Sequence, residues 1–169
     1  MICYGMKVLA LIYFYFFSFN AAHSESNNKN LTEELNAYWS EVSRTVREGD
    51  FIGYKATCHE EGVLVSGVKS SSYPLSDALS RWKKDFDATK QGKIKANVRF
   101  RFSKRINDAT TAHETGIFLY SSQSPGGKQQ NDFIHFEALL VKKDGEWKII
   151  MEYQKSKATE DEWNKLKSN

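Results

Sequence analysis

After Gly92 the spacing of apolar residues changes from a helical period to a period of two, and that change restricts the fold more than any other feature. Upstream, Leu31, Leu35, Tyr38, Val42 and Val46 recur at helical spacing with Trp39 on the flank, and Gly49 stops the pattern. Asp50 is placed to cap a second, shorter helix through Cys58, and Gly62-Val63-Leu64-Val65-Ser66 reads as a short strand. A loop from Gly67 to Tyr73 leads to Pro74, a good first residue for a third helix. Leu75, Ala78, Leu79, Trp82 and Phe86 form its apolar stripe. Downstream the period is two. Val98, Phe100 and Phe102 alternate with Asn97, Arg99 and Arg101, and Asn107-Asp108 supplies a turn. Thr111 to Tyr120 makes the next strand, and Gln123 to Asn131 is a loose hairpin loop. Phe133 to Val141 and Glu146 to Tyr153 form a pair joined by Lys143-Asp144-Gly145, where Asp-Gly favours a type I′ turn. Thr159 to Glu162 is a capping box for a short terminal helix holding Trp163 and Leu166. Helices first and strands last predict an α+β fold. Its antiparallel sheet would curve under the N-terminal helices into a half-open cone able to enclose a cavity.

The first segment reads as an address. Val8 to Phe19 is apolar or aromatic except for Ser18, Lys7 precedes it, and Asn20-Ala21-Ala22-His23-Ser24 follows. That is the layout of a secretory signal peptide, too short to span a bilayer, where about 20 apolar residues are needed. The expected division is a signal peptide over 1–22, a polar lead-in over 23–30, a domain over 31–157 and a terminal helix and tail over 158–169. Cleavage fits after Ala22 or Ser24, initiation fits Met1 or Met6, and Asn30-Leu31-Thr32 is a glycosylation sequon. The expected location is therefore outside the cytoplasm, periplasmic or extracellular, with no membrane span after cleavage. Losing the signal removes Cys3 and leaves Cys58 as the single thiol, so no internal disulfide supports the fold. The formal charge of +3 among 169 residues, with scattered lysines, does not indicate a nucleic-acid partner.

Three local features resemble the nuclear transport factor 2-like (NTF2-like, SnoaL-like, cystatin-like) superfamily, including its exported branches. Glu48-Gly49-Asp50 ends the first helix with a second helix starting at once. The helix from Pro74 to Ala88 precedes the long strands. The last hairpin reads Lys143-Asp144-Gly145-Glu146-Trp147-Lys148-Ile149, similar to a closing "DG-x-W-[KR]-I". The resemblance covers roughly Leu31 to Ser156 and implies the curved-sheet fold. It implies less about activity, because the superfamily includes isomerases, dehydratases and cyclases beside binding and assembly modules. Its ketosteroid isomerase-like enzymes place a carboxylate base on the first short strand, where Gly62 to Ser66 has none and Glu60-Glu61 lie just before it. Their oxyanion-stabilising tyrosine matches Tyr38, which also reads as a core residue.

Alternation groups the strand residues by face. Val98/Phe100/Phe102, Ile134/Phe136/Ala138/Leu140 and Trp147/Ile149/Met151/Tyr153 share one side. Arg99/Arg101, His135/Glu137 and Lys148/Glu152/Gln154 share the other. If the helices cover the apolar side, the polar set is an external ladder. If the polar set lines the cone, His135 and Glu137 become an acid/base pair, with Arg99 or Arg101 orienting an anion. External placement is favoured, since burying several charges needs a partner for each. The candidate pocket is then Tyr38, Tyr54, Trp82, Phe86, Phe100, Phe102 and Tyr153. The expected role is non-catalytic binding of a small, largely apolar molecule, or self-association as a homodimer through a sheet face. The competing expectation is an isomerase or dehydratase using His135 and Glu137 with Tyr38. No cofactor and no metal are expected. His59-Glu60-Glu61 reads as a solvated turn rather than a metal site, and Cys58 as a buried structural thiol.

Overall fold

The computed structural model describes residues 30–166. The expected signal segment, the lead-in as far as residue 29 and the last three residues lie outside the described residues. The chain divides into two compact units, Met1–Glu34 and Leu35–Asn169. Of the first, only residues 30–34 are described, as the opening of a helix, α1, that runs over 30–48.

In the second unit, the apolar stripe of α1 is buried at Leu35, Tyr38, Trp39, Val42 and Val46. Gly49 ends the helix with φ +66, and only glycine fits there, since an added Cβ would lie 2.4 Å from the Lys90 backbone nitrogen. Asp50 caps α2 (Phe51–Ala56) by accepting from the Gly53 N–H at 2.9 Å. Cys58 does not continue that helix. It opens β1 (Cys58–Ser66), because pairing with Ile149 draws the chain into the sheet directly after Thr57. Glu60 and Glu61 are therefore strand residues, not a turn, and Lys143 pairs with Glu60 at 2.9 Å. Part of the expected loop is also a strand. β2 (Ser71–Pro74) pairs antiparallel with β1, a short polar edge with no apolar alternation to announce it.

Helix α3 (Leu75–Lys90) starts after Pro74 and buries Leu75, Ala78, Leu79 and Phe86. The long strands follow: β3 (Lys95–Asn107), β4 (Thr111–Gln123), β5 (Gln130–Lys143) and β6 (Glu146–Lys157). Asp144 (φ 53) and Gly145 (φ 82) close the last hairpin in the left-handed conformation a type I′ turn requires. The six strands form one open, curved sheet in the order β2-β1-β6-β5-β4-β3. The sheet is not wholly antiparallel, since β1 runs parallel to β6.

The helices cover the face bearing Val98, Phe100, Phe136 and Ile149. Trp39 is their centre, with ring centroids 4.4 Å from Phe100 and 5.7 Å from Phe136. Each such buried side chain contributes about 1.5–3 kcal/mol relative to exposure. Part of the other face is covered by α4 (Glu160–Lys165), whose Thr159/Glu162 capping box is complete. Trp163 of α4 packs on Ile117 and Leu119, and Arg101 donates to the carbonyls of Trp163 at 2.8 Å and Leu166 at 3.2 Å. Arg101 thus serves a helix end rather than an anionic ligand. No helix among the described residues is long and apolar enough to cross a membrane.

Strand β6 breaks strict alternation. Ile149 pairs with Leu140 and Met151 with Leu139, so Ile150 is an extra residue between them. Beyond this bulge the faces exchange. Met151 and Tyr153, expected beside Trp147 and Ile149, turn outward, while Glu152 and Gln154 turn toward the helices.

Candidate ligand cavity

A cavity of about 360 Å³ lies between the helices and the sheet. Alpha-helical Tyr38, Trp39, Val42 and Tyr54 form one wall with Trp82 and Phe86 of α3. The sheet supplies Val98, Phe100, Phe118, Ile134, Phe136 and Ile149. Tyr54 anchors one corner, its ring 4.9 Å from Phe86 and 6.1 Å from Trp82. Polar groups are few. Glu152 and Gln154 reach in from β6 and Cys58 from β1, Thr57 and Thr89 add hydroxyls, and Tyr120 lies with exposed Asp85 and Asp132.

Glu152 is the chemically distinctive group. It borders the cavity and so keeps some exposed surface, yet protein surrounds it, and burial raises its carboxyl above the usual carboxylate range. The Gln154 side-chain amide donates to its Oε1 at 2.7 Å and partly opposes that rise. Tyr38, Tyr54 and Cys58 stand close enough to feel its charge. All three hold their protons tightly, chiefly through burial, and the Cys58 thiol is pushed up to about 12. A thiol so protonated is a poor nucleophile. The Tyr38 hydroxyl donates to the Thr57 carbonyl at 3.1 Å.

The structure places Tyr38, Tyr54, Trp82, Phe86 and Phe100 together on the cavity wall. Phe102 stacks behind Phe100, at 6.4 Å between centroids, under the Arg105 guanidinium. Tyr153 is on the outer face, turned there by the β6 bulge. His135 and Glu137 are on that outer face too. His135 pairs with Glu162 at 3.3 Å, and Glu137 pairs with His113 at 3.2 Å and Lys155 at 2.7 Å. Alternation with the inward Phe136 keeps both out of the cavity.

No protein-family model and no curated protein match the chain. Solved structures do match it. A conserved protein from Planctomyces limnophilus DSM 3776 superposes with a TM-score of 0.63 at 9% identity, covering 74% of this chain and 94% of that one. ActVI-ORFA from Streptomyces coelicolor gives 0.60 at 18% identity, covering 73% and 95%. An NTF-2 like protein of unknown function from Shewanella oneidensis MR-1 gives 0.55 at 16%, covering 72% and 96%. The chain has the NTF2-like fold. Identities this low speak for architecture alone. In this NTF2-like sheet, the first strand offers Leu64 rather than a carboxylate to the interior, and its neighbour in register is Glu152 of β6. The carboxylate thus sits one strand over from the place the resemblance suggested.

Sequence patterns could have found some of what they missed. Asp132 precedes Ile134 and Phe136 in the same alternation, and Asp85 shares a helix face with Trp82 three residues earlier. Glu152 and Gln154 carried no such signal, because a bulge has none. Among the described residues, no group of three or more His, Cys, Asp or Glu is arranged to hold a metal ion.

Proposed function

We propose that this NTF2-like domain binds a small, largely apolar molecule in the cavity under its sheet. The observation that carries this reading is the cavity itself: about 360 Å³, aromatic on most sides, with one carboxyl and one amide deep in its wall. Small-molecule sites share that pattern of apolar lining and few polar groups, from about 300 Å³ upward. His135 and Glu137 have no part in this reading. The test is direct. The purified protein is extracted and its co-purifying lipophiles identified by mass spectrometry, while the neutral dye Nile red is titrated against the stripped protein. A dye signal that disappears in Val42→Trp, which fills the cavity, supports the reading. Full binding by that variant would sink it.

Self-association is a second reading, supported by one row of residues. Val63, Met151, Leu139, His113 and Ile106 lie in register across five strands on the outer face. Val63, Leu139 and Ile106 of this row are exposed. A largely apolar row with exposed members on the outer sheet face suits a homodimer. Light scattering of wild type against Leu139→Glu checks it, with a shift from dimer to monomer expected. The sequence pattern at Val8–Phe19 adds export to the proposal, to be read from the N-terminal residue of the processed chain.

A further inference from the structure

The inference here rests on the cavity being a ligand site and concerns what enters it. We infer that the ligand is an organic cation, an ammonium group on an apolar body, received by the aromatic walls and the carboxylates of the cavity.

The charges of the cavity run against those of the chain. The protein has 24 Lys and Arg against 21 Asp and Glu. Yet the cavity is bordered by Asp85, Asp132 and Glu152, and by no Lys, Arg or His among the described residues. An anionic ligand would meet three acidic groups and, among the described residues, no cationic partner, at a large desolvation cost. Aromatic faces point the same way. Their negative quadrupoles attract a cation most strongly where water is excluded, and Trp82 and Tyr54 both line the cavity as an edge-to-face pair with centroids 6.1 Å apart. Asp85 and Asp132 both act on the Tyr120 hydroxyl, which places this acidic pair at one part of the wall.

Glu152 supplies the independent observation. One oxygen accepts from Gln154, and among the described residues no cationic side chain pairs with the carboxyl. The groups facing it are Tyr38 from α1, Tyr54 from α2 and Cys58 from β1, all neutral in the ordinary pH range. Lys148 acts on Cys58 but is tied to the Ala56 carbonyl at 2.6 Å and to Glu146 at 2.7 Å. Glu114, elsewhere on the same face, has an arginine; Glu152 has an open cavity in the equivalent place. A wholly apolar ligand would leave that carboxyl unmatched. An ammonium would pair with its ionised form, so the affinity for a cation rises with pH as Glu152 loses its proton.

The experiment compares two probes of one shape: benzyltrimethylammonium and neopentylbenzene, its uncharged carbon isostere. Binding is read from the fluorescence of Trp39 and Trp82, which both line the cavity. At pH 8 the ammonium should bind at least about tenfold tighter. Its affinity should fall toward pH 5 while that of the isostere stays level. The preference should shrink in Glu152→Gln, a change of equal size whose fold is checked by its thermal melt. Asp85→Asn/Asp132→Asn, two surface changes, should shrink it further. Equal or weaker binding of the ammonium overturns the inference and leaves the apolar-ligand reading standing. A preference that survives unchanged in both variants overturns it as well. If neither probe nor Nile red enters, the cavity reading falls and takes this inference with it.

Discussion

Glu114 and Glu152 lie on the same row of the sheet, both facing the helices, with Ala138 between them in register. Their surroundings differ in every other respect. Glu114 is fully buried and fully engaged: Arg105 donates to one oxygen and the Trp39 indole to the other. Arg105 in turn donates to Asn36 of α1 at 2.5 Å, so one carboxylate ties two strands to the first helix. Glu152 has a single protein donor among the described residues and otherwise faces the cavity. Trp39 stands between them, closing the cavity on one side and satisfying Glu114 on the other. A buried carboxylate that is completely partnered holds the fold together. One that is left incomplete beside a cavity is available to a ligand.

The largest effect should come from breaking the complete site. Glu114→Ala leaves the Arg105 guanidinium, itself mostly buried, without its counter-charge. Removing one partner of a buried pair costs about 3–5 kcal/mol, which urea denaturation would register as a large drop in midpoint. One nitrogen of Arg105, Nη2, is already buried without a partner, so nothing nearby stands ready to replace Glu114. Trp39→Phe should follow at about 1–3 kcal/mol, since it keeps a ring but removes the indole donor from a buried acceptor. If Glu114→Ala were as stable as wild type, the contrast between the two glutamates would lose its structural half.

Glu152→Gln should be milder in cost and different in kind. Below the ordinary carboxylate range the change should stay within about 1 kcal/mol, because a protonated carboxyl and an amide have the same shape. The pH dependence is what separates them. Burial raises the Glu152 carboxyl, so the folded protein keeps this proton where the unfolded chain has lost it. The stability it lends is whole below the ordinary carboxylate range and is lost as pH rises through the raised value. Tyr38, Tyr54 and Cys58 titrate higher and do not overlap. Wild type should therefore weaken relative to the glutamine variant as pH rises above the ordinary carboxylate range. Parallel stability profiles for the two would remove the distinction.

Much of this architecture was legible in the sequence, and the parts that were not share a physical cause. Gly49, Asp50, Pro74, the Asp144-Gly145 turn and the Thr159/Glu162 box act through their nearest neighbours, so sequence reports them directly. The α1 and α3 stripes are legible for the same reason, being local periods. What failed was propagation of the period of two across β6. The count runs true through Trp147 and Ile149, and then Ile150 bulges, so Met151/Tyr153 and Glu152/Gln154 exchange faces. The bulge is set by pairing with β5 and β1, strands remote in sequence, and Ile150 carries no glycine or turn residue to mark it. The end of α2 at Ala56 and the strand at Ser71–Pro74 were hidden likewise, because both depend on sheet partners. The candidate site suffered most, since its one buried carboxylate lies just past the slip.

The smallest effect belongs to the outer face, where the same residue types do a different job. The Glu137 carboxyl is held below the usual range, first by the Lys155 ammonium and then by His113. Its contribution to stability is present above the ordinary carboxylate range and lost as pH falls through the lowered value, the reverse of Glu152. Yet Glu137 is 25% exposed and Lys155 45%, so solvent screens the pair and Lys155→Ala should cost far less than Glu114→Ala. That small loss should vanish in 1 M salt, whereas the loss in Glu114→Ala should persist there, because a buried pair is screened far less. The double change His135→Ala/Glu137→Ala should also leave Nile red binding at its wild-type value. A fall in dye affinity would mean that the outer face communicates with the cavity through β5, whose alternate residues Ile134 and Phe136 form its wall. Unchanged affinity would confine ligand chemistry to the helix-facing side, where Glu152 has no counter-ion among the described residues.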